Sequence, residues 1–181
     1  MIRLRPHHLL CIRGFRGKGY SEAFIRNMSE IVANLNEAAG QTDATEYRED
    51  YGLTSNPACR GDSSLNVMIV FGADDICRCC PHLTDEGVCD QDEKVSAYDR
   101  RAAEVLGLCE GIHECAGTKK CADTKECDAR ENGMYTRHEF AALQSKIDNA
   151  FDKDKLETVC GGCHWADLCK EAAGKSRYES V

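Results

Sequence analysis

The stretch DDICRCCPHLTDEGVC, Asp74 to Cys89, packs four cysteines into sixteen residues, and CGGCHWADLC, Cys160 to Cys169, packs three into ten. Both contain C-x2-C. A third cysteine then follows after eight intervening residues in the first stretch and five in the second. Two residues between cysteines let both sulfurs reach one centre from a single tight turn, with backbone N–H groups left facing them. Those amides stabilise the thiolate charge that zinc and iron–sulfur sites both require. Buried structural thiols have no reason to keep that spacing, so two such pairs in one chain are a metal signal. They imply a fold in which loops from the middle and the end of the chain are clipped together.

The composition agrees with this. The chain has 181 residues and 42% hydrophobic content, enough for the core of one domain. Its thirteen cysteines are several times ordinary usage, and an odd number cannot pair completely within the chain. The opening, MIRLRPHHLLCIRGF, is basic, but its apolar run is broken by His7, His8 and Arg13 and leads to no small-residue cleavage site, unlike a secretory signal. No apolar run approaches the roughly 18 residues of a membrane span. The expectation is a cytoplasmic protein with reduced thiols, a compartment in which clustered cysteines bind metal or do redox chemistry. A net charge of −8 gives no general attraction to nucleic acid or an anionic membrane. The locally basic start (Arg3, Arg5, Arg13, Arg16, Lys18) reads as a solvated turn, with a small anion-binding patch as the alternative.

Outward from the cysteines, the pattern is mostly helical. Residues 2–13 predict a first helix with Pro6 in its opening turn, where a missing N–H costs little, and Gly14, Gly17 and Gly19 predict the turn that ends it. Ser21 is an N-cap for a helix to about Ala39, on which Phe24, Met28, Ile31, Leu35 and Ala38 form one apolar stripe. Residues 40–64 predict a loop with one short strand near 45–49. LNVMIVF (65–71) is the clearest strand, ended by Gly72 and running directly into the first cysteine stretch. There Asp74 or Asp75 caps a helical turn carrying Cys77 to Cys80, which Pro81 stops. Residues 92–107 predict an amphipathic helix with Val95, Tyr98, Ala102 and Val105 on its buried side. Thr136 and Glu139 form a capping-box pattern for a helix carrying Phe140, Leu143, Ile147 and Phe151. A short helix over about 153–159 leads into Cys160, Gly161 and Gly162 make the turn between the thiols, and the tail after Gly174 reads as frayed.

Cys109, Cys115, Cys121 and Cys127 fall six apart each time. Six residues turn an ideal helix by roughly 600°, so successive members would face different sides. The segment is also poor in large apolar residues. Residues 109–135 therefore read as a cysteine-rich insertion in a single metal-binding domain spanning 1–181, needing a covalent or metal staple.

Each C-x2-C group has three close cysteines and lacks a fourth. Cys11 and His8 are available to complete the sites: His8 and Cys11 are three apart, His7 and Cys11 four apart, and either pair can share a helix face. Closed zinc sites take four such ligands. Cys80-Pro81 echoes the Cys-Pro of bacterial ferredoxins, although the tightly spaced cysteine run of those proteins is absent. Spacing alone leaves zinc and iron–sulfur both open. A Cys–His nucleophile finds no further hydrolase or transferase features. Disulfide cycling through Cys77/Cys80 or Cys160/Cys163 lacks the βαβ context of a thioredoxin-like motif.

RPHHLLCIRGFRGKGYSEAFIRNM, then DDICRCCP with Cys89, then CGGCHWADLC, resemble a family of small prokaryotic proteins of unknown function. Members open with an Arg-Pro-His-His-Leu-Leu-Cys signature, and iron–sulfur binding is suspected for them. The resemblance covers most of the chain outside about 40–64 and 109–135. It places the family's cysteines on Cys11, Cys77, Cys80, Cys89, Cys160, Cys163 and Cys169, with His7 and His8 beside them and Trp165 as the aromatic after the second C-x2-C. It says nothing of Cys59, Cys79, Cys109, Cys115, Cys121 or Cys127. The last four are the right number for an additional cluster and equally suit disulfides or zinc. Cys79, between its C-x2-C neighbours, is the least suited as a ligand.

The expected molecule is an α+β, mainly helical domain with a small sheet, whose cysteine-rich loops clip the termini to the middle. It is an iron–sulfur protein with one to three clusters of [4Fe-4S] type, one on Cys77, Cys80 and Cys89, another on Cys160, Cys163 and Cys169. Cys11 supplies a fourth ligand to one of them and His8 is a further candidate. Its work is electron transfer, with a redox partner protein, or cluster-based redox chemistry on an unassigned substrate. The alternative is a zinc-stabilised protein-binding module without redox activity. The sequence does not decide whether the protein is an enzyme.

Overall fold

Ile2 and Leu4 are buried and Arg3 between them is exposed, the two-residue alternation of a strand. In the computed structural model, which describes residues 1–38, 66–108 and 134–175, Ile2–Leu4 form strand β1. This corrects the expected helix over 2–13: the first helix, α1, begins at Pro6 and runs Pro6–Gly14. Pro6 disfavours helical geometry in the residue before it, and Arg5 is extended, at φ −73° and ψ 148°. β1 pairs in parallel with β2 (Val67–Ile69), Ile2 opposite Val67 and Leu4 opposite Ile69. A short β3 (Met134–Tyr135) adds antiparallel to β2, so β2 is central.

The remaining elements are helices: α2 (Glu22–Ala38), a 3-10 turn (Cys77–Cys79), α3 (Asp92–Leu106), α4 (Arg137–Ala150), α5 (Lys153–Cys160) and α6 (Ala166–Ala172). The fold is α+β and mainly helical, with a small three-stranded sheet, as expected. Ser21 Oγ accepts the Phe24 N–H at 3.1 Å and caps α2, which buries Met28, Ile31 and Leu35. The capping box is present at α4: the Thr136 N–H donates to Glu139 Oε2 at 2.8 Å. Phe140, Leu143, Ile147 and Phe151 are buried behind it. Thr136→Ala should lower stability by ~1 kcal/mol, read as a shifted urea midpoint.

α1 is the hub. It packs against α3, α4 and α6, while α3 also holds α4 and α5. Gly17 has a positive φ of 70° and turns the chain after α1. Gly14 and Gly19 do not serve that purpose. Gly14 ends α1 inside the helix, and both are glycine for lack of space: an added Cβ would meet Phe151 at 2.8 Å and Phe24 at 2.6 Å respectively. No helix among the described residues is long and apolar enough to cross a membrane. The expected strand near 45–49, Cys59, the six-spaced cysteines Cys109, Cys115, Cys121 and Cys127, and the tail from residue 176 lie outside the described residues.

Candidate metal centre

Two acids that interrupt otherwise apolar packing organise the start of α1. Asp74 uses all of its acceptor capacity. Oδ1 accepts the N–H groups of Ile76 and Cys77, each at 3.0 Å, and Oδ2 accepts the Arg5 N–H and His8 Nδ1, each at 2.7 Å. One carboxylate thus caps the cysteine turn and fastens it to α1. Burial opposes its ionisation, but the charge and hydrogen bond of His8 and the N–H groups of Arg5 and Cys77 outweigh burial and hold it far below the usual carboxylate range.

Asp99 does the same from α3. Its Oδ2 accepts Arg5 Nε at 2.7 Å and its Oδ1 accepts His7 Nδ1 at 2.6 Å. Arg5 and Asp99 are each 1% exposed. Burial pushes Asp99 up, yet His7 and Arg5 win and keep it below the ordinary value. His7 itself is pushed down to about 4, first by burial and then by the charge of His8, so it is neutral at pH 7. An ionised carboxylate can only accept, so each imidazole donates from Nδ1. Nε2 is then the lone-pair nitrogen of the neutral His7 ring. Neither Nε2 has a hydrogen-bond partner among the described residues, and both rings lie in the cavity wall described below.

The middle cysteines follow from this anchoring. The Cys80 N–H donates to Cys77 O at 2.9 Å, and a small hairpin pairs Leu83 with Cys89, returning Cys89 toward Cys80. The C-terminal set is built by a comparable turn. Gly162, at φ +80°, lets the Cys163 N–H reach Cys160 O at 2.8 Å. The Trp165 N–H donates to Cys163 Sγ at 3.4 Å, the amide-to-sulfur contact the spacing implied. The Cys169 sulfur packs on α1, 3.3 Å from where a Cβ on Gly14 would lie. Gly14 is three residues from Cys11, on the same helix face.

Cys11 joins the C-terminal set. Burial pushes its thiol well above the ordinary value, and Cys169, Cys160 and Cys163 add to that in turn. Burial, then Cys163 and Cys169, push Cys160 up to about 12, and burial, then Cys163, push Cys169 up to about 11. In the middle set Cys77 is pushed up to about 12 by burial and then by Asp74, and Cys80 is raised by burial with Cys89 contributing. Four thiols so placed do not ionise together unless a cation compensates them. The eight described cysteines are all unpaired thiols.

Both sets open on one cavity of about 540 Å³, lined by Cys11, Cys77, Cys80, Cys89, Cys163 and Cys169. Cys160 is buried behind it, and Cys79 does not line it. Tyr20 bridges the two cysteine loops at the rim, its ring 5.2 Å from His82 and 5.3 Å from Trp165. The tightest set of metal-capable atoms among the described residues is a different one: His8, Asp74 and Cys77, within 4.8 Å of one another. Asp74 already accepts four hydrogen bonds there, so hydrogen bonding accounts for that set.

Asp74 was anticipated as a cap but not as the tie to His8, and Asp99 was missed altogether. Asp99 had a signal: four residues after Val95 and three before Ala102, it is an acid placed in the buried stripe of α3. Gly14→Ala is expected to cost about 1–3 kcal/mol by overpacking, read by urea unfolding, because the added methyl presses on both Phe151 and the Cys169 sulfur.

Residues 45–169 match the model of a family described as "Protein of unknown function (DUF1284)". The Arg-Pro-His-His-Leu-Leu-Cys opening lies before the matched segment, whereas 45–64 and 109–135, which the resemblance left out, lie within it. No curated protein and no solved structure matches.

Proposed function

For this chain, which belongs to the DUF1284 family of proteins of unknown function, we propose an iron–sulfur protein engaged in electron transfer or cluster-based redox chemistry. The observation that carries the reading is the convergence of Cys11 from α1 with Cys160, Cys163 and Cys169 from the C-terminal loop. These four are the ligands of one cluster. Cys77, Cys80 and Cys89 hold a second, and its remaining position falls to His8 Nε2 or to a molecule in the cavity.

The residues fit such a group. They supply soft thiolates, an N–H directed at sulfur and a hydrophobic surround, the features that hold and tune clusters. Zinc fits less well. With Zn–S of about 2.3 Å, a tetrahedral site needs sulfurs about 3.8 Å apart, and among the described residues no three cysteine sulfurs form a set within 4.8 Å. A cluster spreads its thiolates over several irons. When bound, it supplies one-electron transfer, and an iron with three protein ligands adds Lewis acidity. The chain's own part is to hold the two sets against one cavity, place Tyr20 and Trp165 at the rim, and present two carboxylate-oriented imidazole rings in its wall.

Protein purified without oxygen is expected to be brown, to absorb broadly near roughly 400 nm, and to contain iron and acid-labile sulfide in about equal amounts. Colourless protein carrying zinc and no sulfide under the same conditions would overturn the reading in favour of a zinc-stabilised module.

A further inference from the structure

The cavity has a charge bias among the residues that are not cysteines. The chain carries 31 acidic and 23 basic side chains, yet no Asp or Glu is among the described residues that line the cavity, whereas Arg5, Arg16, Lys18 and Lys94 are. Some of these cations are already committed. Arg5 is paired with Asp99, and Arg16 faces Cys169, whose ionisation it favours. Lys18 and Lys94 are different. Neither has an ion-pair partner among the described residues; Lys94 lies over the Tyr98 ring at 5.9 Å. They are spare positive charges at a cavity whose other walls are aromatic, with Phe15, Tyr20, Phe24, Tyr98 and Trp165 lining it. Of the cavity's volume of about 540 Å³, the clusters of the redox reading would take the part nearest the cysteines; the remainder, toward the rim, combines apolar walls with a few placed polar groups, as small-molecule sites do.

We propose that this cavity binds a small organic anion with a flat apolar body, a carboxylate or a phosphate ester. Its charged end meets Lys18 and Lys94, and its body lies among the rim aromatics. The inner wall then offers the Nε2 atoms of His7 and His8 to the buried end of the ligand. Both rings are oriented by carboxylates at Nδ1, so these ring nitrogens are fixed before the ligand arrives. The proposal deepens the redox reading, on which it rests for the ligand's place beside the Cys77, Cys80 and Cys89 set.

Trp165 is the single tryptophan of the chain and lines the cavity, so its fluorescence reports occupancy. Benzoate, phenyl phosphate and the neutral benzyl alcohol would be titrated into anaerobically purified protein, with calorimetry alongside. At least one anion is expected to bind tenfold or more tighter than benzyl alcohol, and which anion does so separates carboxylate from phosphate recognition. Lys18→Ala/Lys94→Ala should abolish that preference while iron and sulfide stay unchanged. Equal binding of the neutral probe, no binding of any probe at millimolar concentration, or a preference that survives the double variant would overturn the proposal. Iron and sulfide are measured on the same samples. Anion preference in a protein without iron would sink the redox reading and leave the anion site standing.

Discussion

On the iron–sulfur reading proposed above, Cys11→Ser is expected to strip one cluster from the anaerobically purified protein, about four irons per chain, and to leave the other in place. The expectation follows from where α1 puts this sulfur. Cys11 lies on the helix face that ends at Gly14, against which the Cys169 sulfur packs, and the thiols that act on it are Cys169, Cys160 and Cys163. Cys77, Cys80 and Cys89 line the same cavity, but none of them is among the leading influences on the Cys11 thiol. Cys77→Ser should therefore remove the complementary cluster, and the double variant should lose both. Cys79→Ser, which alters a thiol outside the cavity lining, should change neither iron nor sulfide. The measurement is iron and sulfide per chain. Full iron in Cys11→Ser would show that this residue is no ligand.

Arg5→Met is expected to destabilise the folded protein by about 3–5 kcal/mol, the cost of stranding one member of a buried ion pair. The guanidinium is 1% exposed and bonds Asp99, itself 1% exposed, at 2.7 Å. A surface pair would contribute little; here the partner cannot turn to water. Asp99 would keep His7 alone, and His7 is held neutral by burial. Arg5→Met/Asp99→Leu should recover part of the loss, because no charge is then stranded. It should not recover all, since His7 Nδ1 loses its acceptor. Urea unfolding reads both effects, and a loss below about 1 kcal/mol for the single variant would contradict the buried pairing.

The helices were legible because their signals are local. Ser21 and Thr136 cap where their patterns say they should, and Asp74 caps the cysteine turn. β1 was not legible. Three residues, Ile2-Arg3-Leu4, do not separate a strand from the first turn of a helix, and the partner that decides the matter, Val67–Ile69, is remote in sequence. The side on which Cys11 falls was open for the same reason: helix spacing shows which residues share its face, not which distant loop meets that face. Gly14 was misread as a turn residue because close contact with Phe151 leaves no trace in its neighbours. The cysteine sets themselves were visible from spacing, since two intervening residues fix the local geometry of each pair.

The docking of Cys11 beside Cys160, Cys163 and Cys169 has a consequence for biosynthesis. Cys11 leaves the ribosome while Cys169 has yet to be translated, so the four-thiol site has no existence on the nascent chain until synthesis has passed residue 169. The middle set is complete at Cys89 and meets its anchors on α1 much earlier. Assembly factors would therefore encounter the two sites in a fixed order. Until the second is finished, α1 would present an unprotected thiol that a growing chain must keep from oxidation.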